Sequence, residues 1–320
     1  MRPFAIAGMQ LQLSGAGDNL PRMERRLDYL MHLYPWVQMV VFSELAACGP
    51  STKRAEPLPG PAERTFQTLA QKHGIWLING SHFELKDGRV YNTTSVIDPD
   101  GRVIGRYRKI FPFRPYESGV EPGSEFLVFD IDEVGRFGVS ICYDMWFPET
   151  SRTLVSLGAE VILHPSLTTT IDRDVEVAIA RATAAQNQCF IIDINGAGDI
   201  GNGRSVLVGP AGDVLHESGS AEELMPLEID LDRVRREREV GLRGLGQPLK
   251  SFRDANIEFP VYSANGNARA YLNDLGPLER PERGSRAGLH GTARPVPAAP
   301  RPNAGSPEAR PAPPSGGDRS

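Results

Sequence analysis

Cys142 stands at the end of an apolar run, Phe137-Gly138-Val139-Ser140-Ile141, and is followed by Tyr143-Asp144-Met145-Trp146 and then Phe147-Pro148-Glu149. A thiol placed where a buried strand gives way to a helix has its sulfur at the open edge of a sheet, with unpaired backbone N–H groups beyond it. That suits a nucleophile. Two more ionisable residues occupy comparable places: Glu44 follows Val40-Val41-Phe42-Ser43, and Lys109 follows Arg106-Tyr107-Arg108. Sites in α/β sheets form at the carboxyl ends of strands, so the three are expected to converge. Their chemistry is complementary. A free thiol is mostly protonated and needs a base, a cation, or both. A desolvated glutamate takes up a proton near neutrality, and an ammonium beside the sulfur favours thiolate and then stabilises an oxyanion. Taken singly, each residue has a plainer reading: a small buried hydrophobe, a solvated loop acid, one member of a basic run. Only the set points to catalysis.

The elements that must position them alternate along the chain. Phe4 to Met9, Val37 to Phe42 and Ile75 to Ile78 are apolar runs of strand type, and Tyr91 to Ile97 alternates. Asn19 is placed to cap a helix entering at Pro21, with Met23, Leu27, Leu30 and Met31 at helical spacing. A second helix is expected over about 62–72, stopping at Gly74. Beyond the cysteine come a helix over 149–157, a strand at Val161-Ile162-Leu163, a helix over 173–188 and a strand over 190–194. Gly209-Pro210-Ala211-Gly212-Asp213 reads as a hairpin turn between 205–208 and 214–215, with a strand over 224–229 and a charged helix from Asp232. Continuous apolar strands separated by helices indicate α/β architecture with both sheet faces covered, and the hairpin makes the sheets mixed.

Forty per cent hydrophobic residues supply an ample core for 320 residues, and a net charge of -5 with a pI near 5.8 offers no bulk attraction to nucleic acid or anionic membranes. Three cysteines argue against a disulfide framework. No apolar run approaches a membrane span or a secretory signal core, so a cytoplasmic protein is expected. Residues 1–262 read as one domain. Residues 263–320 read as a C-terminal extension, rich in Pro, Arg and Gly and expected to be disordered from about residue 277, because so few large apolar groups cannot offset ordering entropy.

The stretches Phe42-Ser43-Glu44, Tyr107-Arg108-Lys109-Ile110 and Ser140-Ile141-Cys142-Tyr143-Asp144, with Phe147-Pro148-Glu149 following, resemble the nitrilase or carbon–nitrogen hydrolase superfamily in content, order and separation. The similarity covers roughly residues 3 to 250. It implies a four-layer αββα sandwich and a Glu44-Lys109-Cys142 triad without metal or organic cofactor. It also implies a second glutamate, for which Glu117 is the match; the eight-residue offset from Lys109 resembles the aliphatic amidase and formamidase branch, and Glu121 and Glu125 are nearby alternatives. Under this resemblance Glu44 is base and then acid, Cys142 forms a thioester, and Lys109 with the backbone N–H of Tyr143 holds the oxyanion. It implies, further, a homodimer or higher homo-oligomer, for which residues 242–259 are a candidate arm.

Phe113, Tyr116, Met145 and Trp146 flank the proposed site and are expected to line a compact aromatic pocket for a small or apolar acyl group. Asn195, beside the loop 196–201, is a candidate substrate contact. His164 is the one histidine placed to rival Glu44 as a partner of Cys142, and no His or Cys spacing suggests zinc. Cys189 reads as core. The expected activity is therefore hydrolysis of a small carboxamide with release of ammonia and a carboxylate. A nitrilase or an N-carbamoyl amine amidohydrolase would use the same triad. From other classes, a non-catalytic binding protein keeps the fold without turnover, and a thiol redox sensor would pair Cys142 with Cys48.

Overall fold

The structure, a computed structural model, describes residues 3–262, 270–273 and 275–280. Two compact units are distinguished, Met1–Ile257 and Glu258–Ser320. The first carries two large β-sheets and a two-stranded one that pairs Gln12–Leu13 with Ala197–Gly198. Strand Phe4–Gln10 lies between Glu223–Ile229 (antiparallel) and Met39–Phe42 (parallel). The sheet continues through Trp76–Ile78 to Arg89–Ile97, which also pairs with His82–Lys86, Val103–Arg108 and Val120–Glu121. The second sheet runs Val214–Glu217, Val206–Val208, Phe190–Ile194, Val161–Pro165, Gly135–Val139, Leu127–Ile131. Both large sheets are mixed, as the hairpin and the apolar strands led one to expect.

Period-two alternation explains the layers. Phe4, Ile6, Met39 and Val41 of the first sheet meet Phe137, Val139, Leu163 and Ile192 of the second in one core between the sheets. The opposite side of the same strands, Met9, Val40 and Phe42, packs on Met23, Leu27 and Leu30 of helix Leu20–Leu33 and on Phe66 and Leu69 of helix Pro61–His73. Ile162, Ile191 and Val208 likewise carry Leu154 of helix Pro148–Ser156 and Val177 and Ala180 of helix Arg173–Asn187. The order is helix, sheet, sheet, helix.

Asn19 does not cap its helix through its side chain. Its amide bonds instead to the carbonyls of Ser14 and Ala46, tying two loops together where a capping bond to the helix was expected. Strand His82–Lys86 buries Glu84 and exposes Lys86, and Leu127–Ile131 exposes Asp130, which breaks the apolar pattern and hid both strands in the sequence. Within the candidate arm, Leu249 packs on the helical side of the second sheet and the Arg152 guanidinium lies over the Phe252 ring, whereas Leu245 is exposed. Of the second unit, a short turn of helix at Pro260–Tyr262 and another at Ala270–Asn273 are described. The stretch expected to be disordered falls, beyond residue 280, outside the described residues. No helix among the described residues is long and apolar enough to cross a membrane.

Candidate active site

Three strand ends deliver three side chains to one place. Met39–Phe42 ends two residues before Glu44, and Leu45 turns the chain with φ +52°. Gly80 allows this turn, since a Cβ there would collide with the Ser43 carbonyl. Val103–Arg108 alternates its last cations: Arg106 and Arg108 leave the core to pair with Glu63 and Glu84, while Lys109, next in line, is buried. After Gly135–Val139 the chain turns at Cys142, φ +46°, into a 3-10 helix over Cys142–Trp146 that was not expected from sequence. A non-glycine residue in the left-handed region is strained and is held there by its surroundings.

Lys109 Nζ donates to Glu44 Oε1 and to Glu117 Oε2, each at 2.8 Å. Asn92 donates to the same two carboxylates, at 2.8 Å to Glu44 Oε1 and 3.1 Å to Glu117 Oε1. Of the three candidate second glutamates, Glu117 is thus the one that meets the lysine; Glu121 and Glu125 are exposed. The Cys142 thiol faces the carbonyl of Leu167 at 3.9 Å, and Ser166 O accepts from the Glu44 N–H at 3.2 Å. Asp144 fastens the turn: Oδ2 accepts from the Tyr107 hydroxyl (2.7 Å) and the Ile141 N–H (2.9 Å), and Oδ1 from the Phe111 N–H (2.8 Å).

Burial raises Glu44 above the usual carboxylate range, reinforced by the Glu117 charge and opposed by Lys109 and by a hydrogen bond from Cys142. Burial also pushes the Cys142 thiol well up, with the Glu44 charge adding to it and Lys109 working against it. Burial alone would lower Lys109, but the charges of Glu44, Cys142 and Glu117 prevail and hold it well above the ordinary lysine value. Burial likewise acts to raise Glu117, and Lys109, the Phe113 N–H and Asn92 override it and hold it low. The resting arrangement is a neutral thiol beside an ammonium clamped by glutamates, one of which has a heightened proton affinity. Burial pushes Asp144 up to about 6 against the pull of its three donors.

Glu44, Lys109, Glu117 and Cys142 line one cavity of about 390 Å³. Phe113 and Tyr116 stack on each other in its wall, and Leu45, Phe83, Val120 and Leu167 complete the apolar side. A larger cleft of about 800 Å³ near Glu84, Arg106 and Arg108 contains none of the three strand-end residues, so its size says nothing of this chemistry. The other expected contacts stand elsewhere. Met145 is buried in the core on the helical side of the second sheet. Trp146 points its Nε1 at Glu176, 3.5 Å away. Tyr143 packs its ring edge-on against Phe113 and Phe147. Asn195 is fully buried and spends its amide on Thr168, Gly196, Asn202 and Gly203, latching two loops and leaving nothing for a substrate.

His164 bonds Ser140 Oγ at 2.7 Å and the backbone of Cys142, and burial lowers it to about 4, so it is a weak base whose bonds go to the strand end and the turn it supports. Cys189 is core, with its thiol pushed up to about 12 by burial. Cys48 packs on the helical side of the first sheet, whereas Cys142 packs on the core between the sheets. Sequence reasoning missed Asn92 and Leu167. The signal for Asn92 was present: Asn92-Thr93-Thr94-Ser95 are four polar residues, all buried, inside a strand, and buried polar groups must find partners. Among the described residues no group of three His, Cys, Asp or Glu side chains suits a metal ion.

Comparison with known proteins gives the geometry a setting. The profile of a family described as carbon-nitrogen hydrolase matches residues 6–239. The chain is 34% identical over 201 residues to an omega-amidase of Xenopus laevis, covering 58% of this chain and 72% of that one. It is 32% identical over 239 residues to an (R)-stereoselective amidase of Pseudomonas sp, covering 71% and 86%. A nitrilase-superfamily member from Saccharomyces cerevisiae superposes with a TM-score of 0.67 at 29% identity, over 74% of this chain and 94% of that one. A carbon-nitrogen hydrolase from Helicobacter pylori superposes with a TM-score of 0.69 at 26% identity, over 80% and 96%.

Proposed function

The chain belongs to the carbon–nitrogen hydrolase family, and from that membership we propose that it hydrolyses the C–N bond of a small carboxamide with an uncharged acyl group, through a thioester on Cys142. The observation that carries this reading is the buried Glu44–Lys109–Glu117 cluster sharing one small cavity with the Cys142 thiol. As the sulfur attacks the amide carbon, its proton passes to Glu44, whose burial suits it to accept one. The carbonyl π pair moves onto oxygen, held by Lys109 Nζ and the backbone N–H of Tyr143 in the first turn of the 3-10 helix, where N–H groups lack an acceptor within the helix. The tetrahedral species collapses, and the nitrogen takes the proton from Glu44 and leaves as ammonia. Glu44 then draws a proton from water as its oxygen attacks the thioester; collapse frees the acid and returns the proton to the thiol. Glu117 keeps Lys109 in place and orients the substrate nitrogen.

The cavity wall supports the choice of an uncharged acyl group. Lys109 is the one cation lining it among the described residues, and both its short bonds go to glutamates. A second carboxylate on the acyl group would be desolvated against Phe83, Val120 and Leu167 with no counter-charge, which is strongly unfavourable.

Acid release from acetamide, benzamide, a carboxylate-bearing monoamide, an N-carbamoyl amino acid and benzonitrile, measured in parallel with intact-mass detection of trapped acyl-enzyme, tests the reading. Turnover of the uncharged amides with an acyl adduct on Cys142 is expected. Preference for the carbamoyl compound, the nitrile or the charged monoamide overturns the substrate class, and wild-type turnover by Cys142→Ala overturns the mechanism.

A further inference from the structure

A buried guanidinium lies behind the site, unused by the reaction. Arg173, in the first turn of helix Arg173–Asn187, is 2% exposed. Its Nη2 lies 2.9 Å from Asp193 Oδ2 and its Nη1 3.1 Å from Glu176 Oε2, and Nη2 also donates to the Arg204 carbonyl at 2.9 Å. Each carboxylate accepts a second bond from the segment following strand Val161–Pro165: Ser166 Oγ donates to Asp193 Oδ1 at 2.8 Å, and Thr168 Oγ1 to Glu176 Oε2 at 2.7 Å. The two hydroxyls flank Leu167. That short segment touches the main chain of one reacting residue and the side chain of the other, since Ser166 O receives the Glu44 backbone N–H and Leu167 O faces the Cys142 sulfur.

Resting on the reaction proposed above, we propose that Arg173 is a positioning residue: by bridging Asp193 and Glu176 it holds Ser166-Leu167-Thr168 in the one register that sets Cys142 against Glu44. Removing charges from water can cost more than their attraction returns, and replacing a buried ion cluster by apolar groups of similar volume is often neutral or stabilising, so such a cluster is weak evidence for stability. What the cluster supplies is geometry. Ser166 ends a strand bond from its N–H to Ile194 O; beyond it Asn195 and the Asn202 N–H hold the Thr168 backbone, and the side-chain hydroxyls on either side of Leu167 complete the placement of that residue. The two carboxylates, held at fixed separation by one planar fork, specify it from both sides. Lysine, a point charge on a flexible stem, cannot span both.

The test compares Thr168→Val, which removes one hydroxyl at nearly constant shape, and Arg173→Lys with the wild-type full chain. Three quantities are read: kcat and KM on the best amide, the rate of Cys142 alkylation by iodoacetamide, and thermal stability. Misplacing a nucleophile by a fraction of an ångström is expected to lower kcat about tenfold to a hundredfold with KM within about twofold, and to slow alkylation in parallel. In folded Thr168→Val, kcat and alkylation within twofold of wild type overturn the proposal. So does a loss confined to Arg173→Lys that tracks its loss of stability. Failure of the amidase reading would appear separately, as wild-type protein without amide turnover, and the alkylation rates would still decide the positioning question.

Discussion

The Tyr107 hydroxyl donates to Asp144 Oδ2 across 2.7 Å, and both groups are buried. Tyr107 lies two residues before Lys109 in a strand of one sheet, and Asp144 lies two residues after Cys142 in the 3-10 turn that follows a strand of the other. One hydrogen bond thus ties the element that delivers the ammonium to the turn that delivers the thiol. Tyr107→Phe keeps the ring and removes that tie. It should cost about 1–3 kcal/mol of stability, the penalty of a buried acceptor losing a donor, and lower kcat more than it raises KM. Urea unfolding and steady-state kinetics check both.

Lys109 is the central cation between Glu44 and Glu117. Lys109→Met leaves two carboxylates facing each other without it, and breaking such a buried pair should destabilise the fold by about 3–5 kcal/mol. Adding Glu44→Gln and Glu117→Gln to Lys109→Met should recover most of that loss while leaving the protein inactive. Unfolding of the single and triple variants at one pH measures the difference; equal stabilities would show that the cluster is not electrostatically coupled.

Glu44→Gln removes the proton acceptor and keeps the shape. Its kcat should fall by about 10²–10⁴, the usual contribution of a positioned base, with KM changed far less. Rapid acylation by an activated ester but slow amide turnover in this variant would place the lost proton at the leaving nitrogen.

Leu167 closes the apolar side of the cavity. Leu167→Ala should widen it and shift kcat/KM toward bulkier amides by about tenfold, within the 1–3 kcal/mol that a small change in an apolar pocket controls. A homologous series of aliphatic amides reads the shift directly.

His164 supplies one part of the pH dependence of stability, and Asp144, raised to about 6 by burial, acts in the opposite sense over the same range. Burial lowers His164 from 6.5 to about 4, so between those values the unfolded chain binds the proton and the folded chain does not. Its contribution is therefore fully present above pH 6.5 and is lost as pH falls toward 4. Between pH 7 and pH 5 that amounts to about 2 kcal/mol, and the decline should be smaller by that amount in His164→Gln. Urea midpoints at the two pH values provide the comparison.

Strand ends were readable from the chain because periodicity is local. The apolar runs before Ser43 and Cys142 and the alternation before Lys109 declare where a sheet ends, and the residue types there declare a base, a cation and a thiol. The layering followed for the same reason, with alternate residues of Val40-Val41-Phe42 facing opposite cores. Other features depend on partners far away in sequence. Asn92 reaches Glu44, 48 positions earlier, and Glu117, 25 later; a polar strand announces a need for partners without naming them. Met145 and Asn195 follow a third rule. Adjacency to the cysteine suggested a pocket role for Met145, but the 3-10 turn that begins at Cys142 sends its side chain into the helical core, and the direction of a side chain around a tight turn is set by what packs against it. Asn195 sits beside loops whose backbone groups consume every bond it can make. Residue types and strand ends were thus determined by the sequence alone; which side chains share the cavity was decided by tertiary packing, because hydrogen bonds and burial act between neighbours in space.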